Sequence, residues 1–234
     1  MITIISPHID DAVLSIGGTI ALLRARGEDV IVRSVFTRSH WTNPDNIRQK
    51  KYSSDVDEVT AIRAAEEQCT SKFLGYEYDL LGFDDHALRG KVVDQQLFDE
   101  VKVKIRSSLQ KDSITFFPLG LQHHDHLVVS RIGYQLYVEG YKVMLYEDLP
   151  YAGFGNYDYE KQHDELIDRG MVPELVKIDF ALKSEAIRKY ESQISKQWLR
   201  DVTNYGYNVK TNEFYERVWR AKGNDDEMTS DLFT

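Results

Sequence analysis

ITIISPHIDDAVLSIGG, residues 2–18, decides how the rest of the chain is read. Ile2 to Ile5 is short, apolar and β-branched, the signature of a buried strand. Asp10 and Asp11 open a helix whose apolar positions are Ala12, Val13, Ile16, Ile20, Leu22 and Leu23, and Arg26-Gly27 closes it with a basic residue and a C-cap glycine. A histidine and two adjacent carboxylates thus sit on the turn between a strand and a helix. Like charges side by side repel, and burying the pair is costly unless something compensates them.

The alternation continues outward. Strands are expected at Val30–Phe36, Tyr76–Leu81, Ser113–Phe117 and Lys142–Tyr146, with helices at Asp55–Phe73, Asp94–Leu109 and Leu127–Tyr137. Ser39–Ser54 reads as a long polar loop, and Phe83–His86 as the loop beyond the third strand. Strands alternating with helices of ten or more residues predict an α/β fold: a Rossmann-like three-layer sandwich, its sheet mostly parallel with helices on both faces. After Pro150 the pattern loosens into the glycine- and tyrosine-rich PYAGFGNYDYE. A strand is expected at Val176–Phe180. A helix is expected over Leu182–Trp198, where Leu182, Ala186, Tyr190, Ile194 and Trp198 recur about every four residues. The residues from Asp225 onward read as frayed. The expectation is a single domain over 1–234, with residues from about 150 forming an extension that closes the site.

Composition narrows the partners. With 234 residues, 42% of them hydrophobic, the chain can fill a full core. No apolar run approaches the ~20 residues of a membrane span, and Met1 leads straight into a strand without a basic leader. The single cysteine, Cys69, has no intrachain partner, which fits a reducing cytoplasm. A net charge of −9 argues against nucleic acid or an anionic membrane as partner. A small molecule is the expected partner, and a homo-oligomer is left open. No GxGxxG, GxSxG or P-loop occurs, and Gly17-Gly18 lies too far into the helix to cradle a diphosphate. That pair fits close packing of helix on sheet.

In open α/β sheets, ligands bind beyond the carboxyl ends of the strands. SPHIDD follows the first strand and LGLQHHDH follows the fourth, so two His/Asp clusters remote in sequence should meet at one sheet edge. Read alone, Asp10 or Asp11 caps a helix and a lone histidine is a satisfied polar residue. Together, His8, one aspartate of the pair and His126 make two imidazoles and a carboxylate, with one position left to water. This is a catalytic zinc arrangement, and the second carboxylate is placed to take a proton.

PHIDD resembles the PHPDD motif of the LmbE-like, or PIG-L, zinc-dependent de-N-acetylases, with Ile9 where proline is usual, and HHDH matches that family's HxDH. YEDLPY (146–151) resembles the family's strand and loop after the second motif, and FYERVW (214–219) its C-terminal signature. The likeness runs from residue 1 to about 220. It implies one zinc per chain on His8, Asp11 and His126, and Asp10 as general base. It also implies that His123 stabilises the oxyanion and that Asp125 orients and charges His123. His124 has no implied role. The implied activity is removal of an acetyl group from an N-acetylated amino sugar or its conjugate. Two alternatives are a degenerate sugar-binding module and a metal-dependent phosphoesterase. Trp41, with Tyr151, Phe154 and Tyr157, is a candidate stacking surface for a sugar or aglycone, and Arg63 and Asp84 are candidates for its hydroxyls.

Overall fold

A computed structural model describes residues 1–43, 54–153, 159–222 and 232–233. Its elements run β1 (Ile2–Ser6), α1 (Asp11–Ala25), β2 (Val30–Arg38), α2 (Val56–Leu74), β3 (Glu77–Asp84), α3 (His86–Arg89), α4 (Gln95–Ser107), β4 (Thr115–Pro118), α5 (His124–Val138) and β5 (Val143–Tyr146). A 3-10 turn (Tyr151–Gly153) is followed by α6 (Tyr159–Asp168), β6 (Met171–Ile178), α7 (Phe180–Ile187), α8 (Lys196–Gly206), β7 (Tyr207–Asn208) and β8 (Glu213–Ala221).

Among the described residues the strands form one sheet in the order β3-β2-β1-β4-β5-β8-β6, with β7 paired to β8. β1 to β5 are parallel, and β8 joins β5 antiparallel, as do β6 and β7 to β8. This is the expected α/β sandwich with a mostly parallel sheet. Strand alternation divides the core between the two faces. Ile4 and Phe116 point to the layer containing Val13, Ile20 and Ile187, while Ile5 and Phe117 point to Val101, Ile105, Val129 and Ile132. The order reverses between β1 and β4, and a ligand crevice is expected at that switch point. No described helix is long and apolar enough to cross a membrane.

The C-terminal part differs from the sequence expectation. The helix expected over Leu182–Trp198 is two helices, α7 and α8. Glu66 takes the Ser192 N–H at 2.7 Å, diverting it from helical bonding, and Ser195 caps α8 by accepting from Trp198 N at 3.1 Å. The strand expected at Val176–Phe180 starts earlier, at Met171, and FYERVW lies within β8. β3 runs on to Asp84, so Phe83–Asp84 is strand and His86 opens a short helix. The expectations for residues 44–53, for Phe154 and Tyr157, and for the tail apart from Leu232 and Phe233 fall outside the described residues.

Two buried polar clusters fix the elements around the crevice. α1 is kinked at Ile16 (φ −128°, ψ 30°). The N–H groups of Gly18 and Thr19, exposed by the kink, donate to the Glu216 carboxylate of β8 at 2.9 and 2.6 Å. Lys183 Nζ, on α7, pairs with Glu216 at 2.7 Å and donates to Ser15 O at 2.9 Å. A Cβ on Gly18 would come within 2.6 Å of Ile178, so helix and sheet do pack at glycine distance.

The second cluster is Glu67 on α2, fully buried, which accepts from Tyr76 and Tyr190 hydroxyls at 3.0 and 2.6 Å. Burial pushes its acid up to about 7. Between the ordinary 4.5 and about 7 the unfolded chain is ionised while the folded one keeps the proton. Stability therefore falls as pH rises through this window. Glu67→Gln is expected to remove that fall. Chemical denaturation should show the variant gaining on the parent by about 3 kcal/mol between pH 4.5 and 7.5. A constant difference across the range would show that Glu67 ionises freely in the fold.

Candidate active site

The turn after β1 is built by its own side chains. Ser6 Oγ accepts from Ala12 N at 3.0 Å and donates to His8 O at 2.5 Å. Asp11 Oδ2 reaches back to His8 N at 2.8 Å. Asp10, at the N-cap, makes no side-chain capping bond; Ser6 Oγ serves the Ala12 N–H of the first turn instead, and the Asp10 carboxylate is left for the cavity.

The turn after β4 is held from the next strand. Asp148, just past β5, accepts from Gly120 N at 2.7 Å and Leu121 N at 3.1 Å through Oδ2. Its Oδ1 stands 2.6 Å from His126 Nδ1. Gly120 has φ +86°, and a Cβ there would meet Ser130 at 2.5 Å, so only glycine makes this turn.

The two turns meet. The rings of His8 and His126 lie 5.3 Å apart, and ring nitrogens of His8, His123 and His126 fall within 4.8 Å of one another. Asp11 Oδ2 sits 2.9 Å from His8 Nδ1 and 3.0 Å from His126 Nε2. The His126–Asp148 bond puts the neutral ring's proton on Nδ1 and leaves a lone pair on Nε2. That nitrogen is buried with no hydrogen-bond partner, facing a carboxylate oxygen. Two electron-rich atoms at this distance need a positive charge between them, which either a proton on Nε2 or a metal ion supplies. Ligand atoms about 2 Å from a tetrahedral zinc stand about 3.3 Å apart, so the donor set fits such an ion. His8 has a matching outer carboxylate: its Nε2 donates to Asp125 Oδ2 at 3.0 Å. Both imidazoles thus carry the carboxylate support typical of metal-binding histidines.

The electrostatics follow from this crowding. Burial opposes charge on His8 and His126, but Asp11 outweighs it, joined by Asp148 at His126, and they rise to about 9 and about 10. Burial, then the neighbouring Asp11, pushes the Asp10 acid up, while the two imidazoles overcome burial to hold Asp11 well below the ordinary range. Adjacent carboxyls driven in opposite directions are suited to different tasks.

Asp125 raises His123 toward the charged form as expected, but burial and the charge on His8 and His126 outweigh it. The Asp125 carboxylate serves His8, the Arg89 guanidinium and the His86 N–H (3.1 Å); only its backbone N–H, at 3.2 Å, meets His123, at Nδ1. Burial, then the positive imidazoles of His8 and His126, takes His123 down to about 2. His123 is therefore neutral, with Nδ1 accepting and the proton on Nε2.

A cavity of about 220 Å³ opens on this cluster. His8, Asp10, Asp11 and His123 line it, together with Arg63 from α2 and Tyr151. Arg63 lies 3.5 Å from Asp10 and is buried with its Nε unpartnered. Trp41 also lines the cavity, but Asp84 does not: it pairs with Arg38 at 2.6 Å, and the neighbouring Asp85 takes its place. His86, Gln193 and Trp198 complete the lining. Asp148, Arg89, His86 and Gln193 are site residues that the motifs did not single out. His86, His123 and Asp125 form a second group of potential ligands, but Asp125 Oδ1 is bound by Arg89 and Oδ2 by two donors.

The sequence model of the family described as "PIG-L: GlcNAc-PI de-N-acetylase" matches residues 3–137. The chain is 28% identical over 221 residues to a 2'-N-acetylparomamine deacetylase of Streptomyces fradiae, covering 86% of this chain and 76% of that protein. It is 27% identical over 200 residues to one of Niallia circulans, covering 71% and 70%. The crystal structure of a deacetylase in the biosynthesis pathway of teicoplanin has the same fold, with a TM-score of 0.74 at 23% identity over 96% of this chain and 99% of that one.

Proposed function

Because the chain belongs to the PIG-L family of de-N-acetylases, we propose that it is a zinc-dependent hydrolase removing the acetyl group from an N-acetylated amino sugar or its conjugate. The observation that carries this reading is the unpartnered His126 Nε2 facing Asp11 beside His8. His8, Asp11 and His126 would hold one zinc ion per chain. Bound there, the ion supplies Lewis acidity and brings the pKa of a water from about 16 to roughly 7.

The remaining steps belong to the chain. Asp10 accepts the water's proton as the oxygen attacks the acetyl carbonyl carbon. The neutral His123 donates from Nε2 to the oxygen that becomes negative. Asp10 then returns its proton to the nitrogen as the C–N bond breaks, releasing acetate and the free amine. Arg63 holds Asp10 and has spare N–H donors for sugar hydroxyls. The relatives' names, paromamine and teicoplanin deacetylases, support an acetylated sugar conjugate as substrate.

A phosphoesterase with two ions would need the His86, His123 and Asp125 group as its second site. The donors already seated on both Asp125 oxygens weigh against it. Metal analysis of purified protein is expected to give one zinc per chain, and two would favour the phosphoesterase. Zinc-loaded protein is expected to release acetate from at least one member of a panel of acetylated amino sugars and glycosides. A silent panel would overturn the deacetylase reading.

A further inference from the structure

The steps above leave one corner of the cavity unused, formed by Trp41, Gln193 and Trp198. Gln193 lies on the turn between α7 and α8 and is 1% exposed. Its side-chain nitrogen donates to Trp41 O at 3.3 Å and to Ser192 Oγ at 2.7 Å. Only the nitrogen of an amide can donate to a carbonyl, so the orientation of the group is fixed. Oε1 is then an acceptor with no partner among the described residues. Ser192 is itself anchored, N–H and hydroxyl both donating to Glu66 at 2.7 Å. The amide is therefore held rigidly, and it presents Oε1 to the cavity as a fixed acceptor for a ligand's donor. Beside it the Trp41 and Trp198 rings stack, centroids 6.0 Å apart and 16° from parallel.

We propose that this corner is the ring subsite of the deacetylase described above, on whose reading it rests. Gln193 Oε1 accepts from a hydroxyl of the acetylated sugar, and Trp198, backed by the stacked Trp41 ring, packs on the C–H face of the same ring. About 220 Å³ is below the roughly 300 Å³ at which drug-sized ligands are enclosed. One pyranose enters, and the remainder of a larger conjugate stays outside. The substrate class is then any conjugate ending in an acetylated amino sugar, with the ring read and the aglycone tolerated.

Calorimetric titration of the zinc-loaded Asp10→Asn protein tests this, with N-acetylglucosamine and acyclic N-acetylethanolamine as probes. Gln193→Met is expected to weaken N-acetylglucosamine binding about 5- to 10-fold, the value of a neutral hydrogen bond, and Trp198→Leu by at least as much. The acyclic probe should shift less than twofold. In the active background both variants should raise KM for acetylated sugars more than they lower kcat. Equal weakening of both probes, or a change below twofold for the sugar in whichever variants fold as the parent does, overturns the subsite. If the parent enzyme releases acetate from no amino sugar while sugar binding still falls with Gln193→Met, the deacetylase reading fails and the subsite stands.

Discussion

Asp10→Asn is expected to leave one zinc per chain and to lower kcat by about 100- to 10,000-fold, the usual range for losing a general base. The side chain keeps its shape, and the neighbouring Arg63 contact of 3.5 Å is weak enough to tolerate the change. Asp10 makes no capping bond for α1, so the helix loses little. The new amide cannot take a proton from water, and the other carboxylates at the cavity have other tasks: Asp11 holds His8, Asp125 holds His8 and Arg89, and Asp85 caps the short helix through Leu88 N. Metal analysis beside steady-state acetate release separates the two effects. Turnover within tenfold of the parent would remove Asp10 from the role of base, and loss of zinc would make it a ligand.

His126→Ala is expected to lose both zinc and turnover, since it removes one of three ligands and half of the link between the two turns. Asp148→Asn probes the same link more gently. Asn can still accept from Gly120 and Leu121, preserving the turn. Its amide nitrogen then faces His126 Nδ1, where Asp148 Oδ1 stood at 2.6 Å. Two donors cannot face one another, so the ring proton is driven to Nε2, the atom needed for coordination. A loss of about 10- to 100-fold in zinc affinity follows, typical for outer carboxylate partners. Competition against a fluorescent chelator measures it. Unchanged affinity in Asp148→Asn would show that the Asp148 bond does not set the tautomer.

The parallel half of the fold was legible because its signals are local. β-branched runs and capped helices alternate cleanly through Tyr146. β8 was hidden because Glu216, a charged residue, is buried in it, so its inward face does not read as apolar. The break between α7 and α8 was hidden because it depends on Glu66, more than a hundred residues upstream, catching Ser192. In the site, the histidines are legible because they lie beyond the ends of the first and fourth strands. The same position beyond the fifth strand holds Asp148, and beyond the third it holds His86 and Arg89. Gln193 gives no such signal, since its value comes from Trp41 and Ser192 orienting its amide. The neutral state of His123 also needed three dimensions: the family resemblance implied that Asp125 charges it, whereas the carboxylate turns toward His8 and burial outweighs it.

Glu216 carries an implication for how this protein can be dissected. The stretch matched by the family, 3–137, contains every histidine and aspartate of PHIDD and HHDH, yet α1 inside it has a gap at Ile16 that residues 183 and 216 fill. A fragment ending near 137 would keep the ligands in its sequence while leaving two amide donors of the helix behind Asp11 without their acceptor. The last strand thus acts as a keystone for chemistry located at the opposite end of the chain, and shortening this protein to its recognisable motifs would discard the part that keeps them in register.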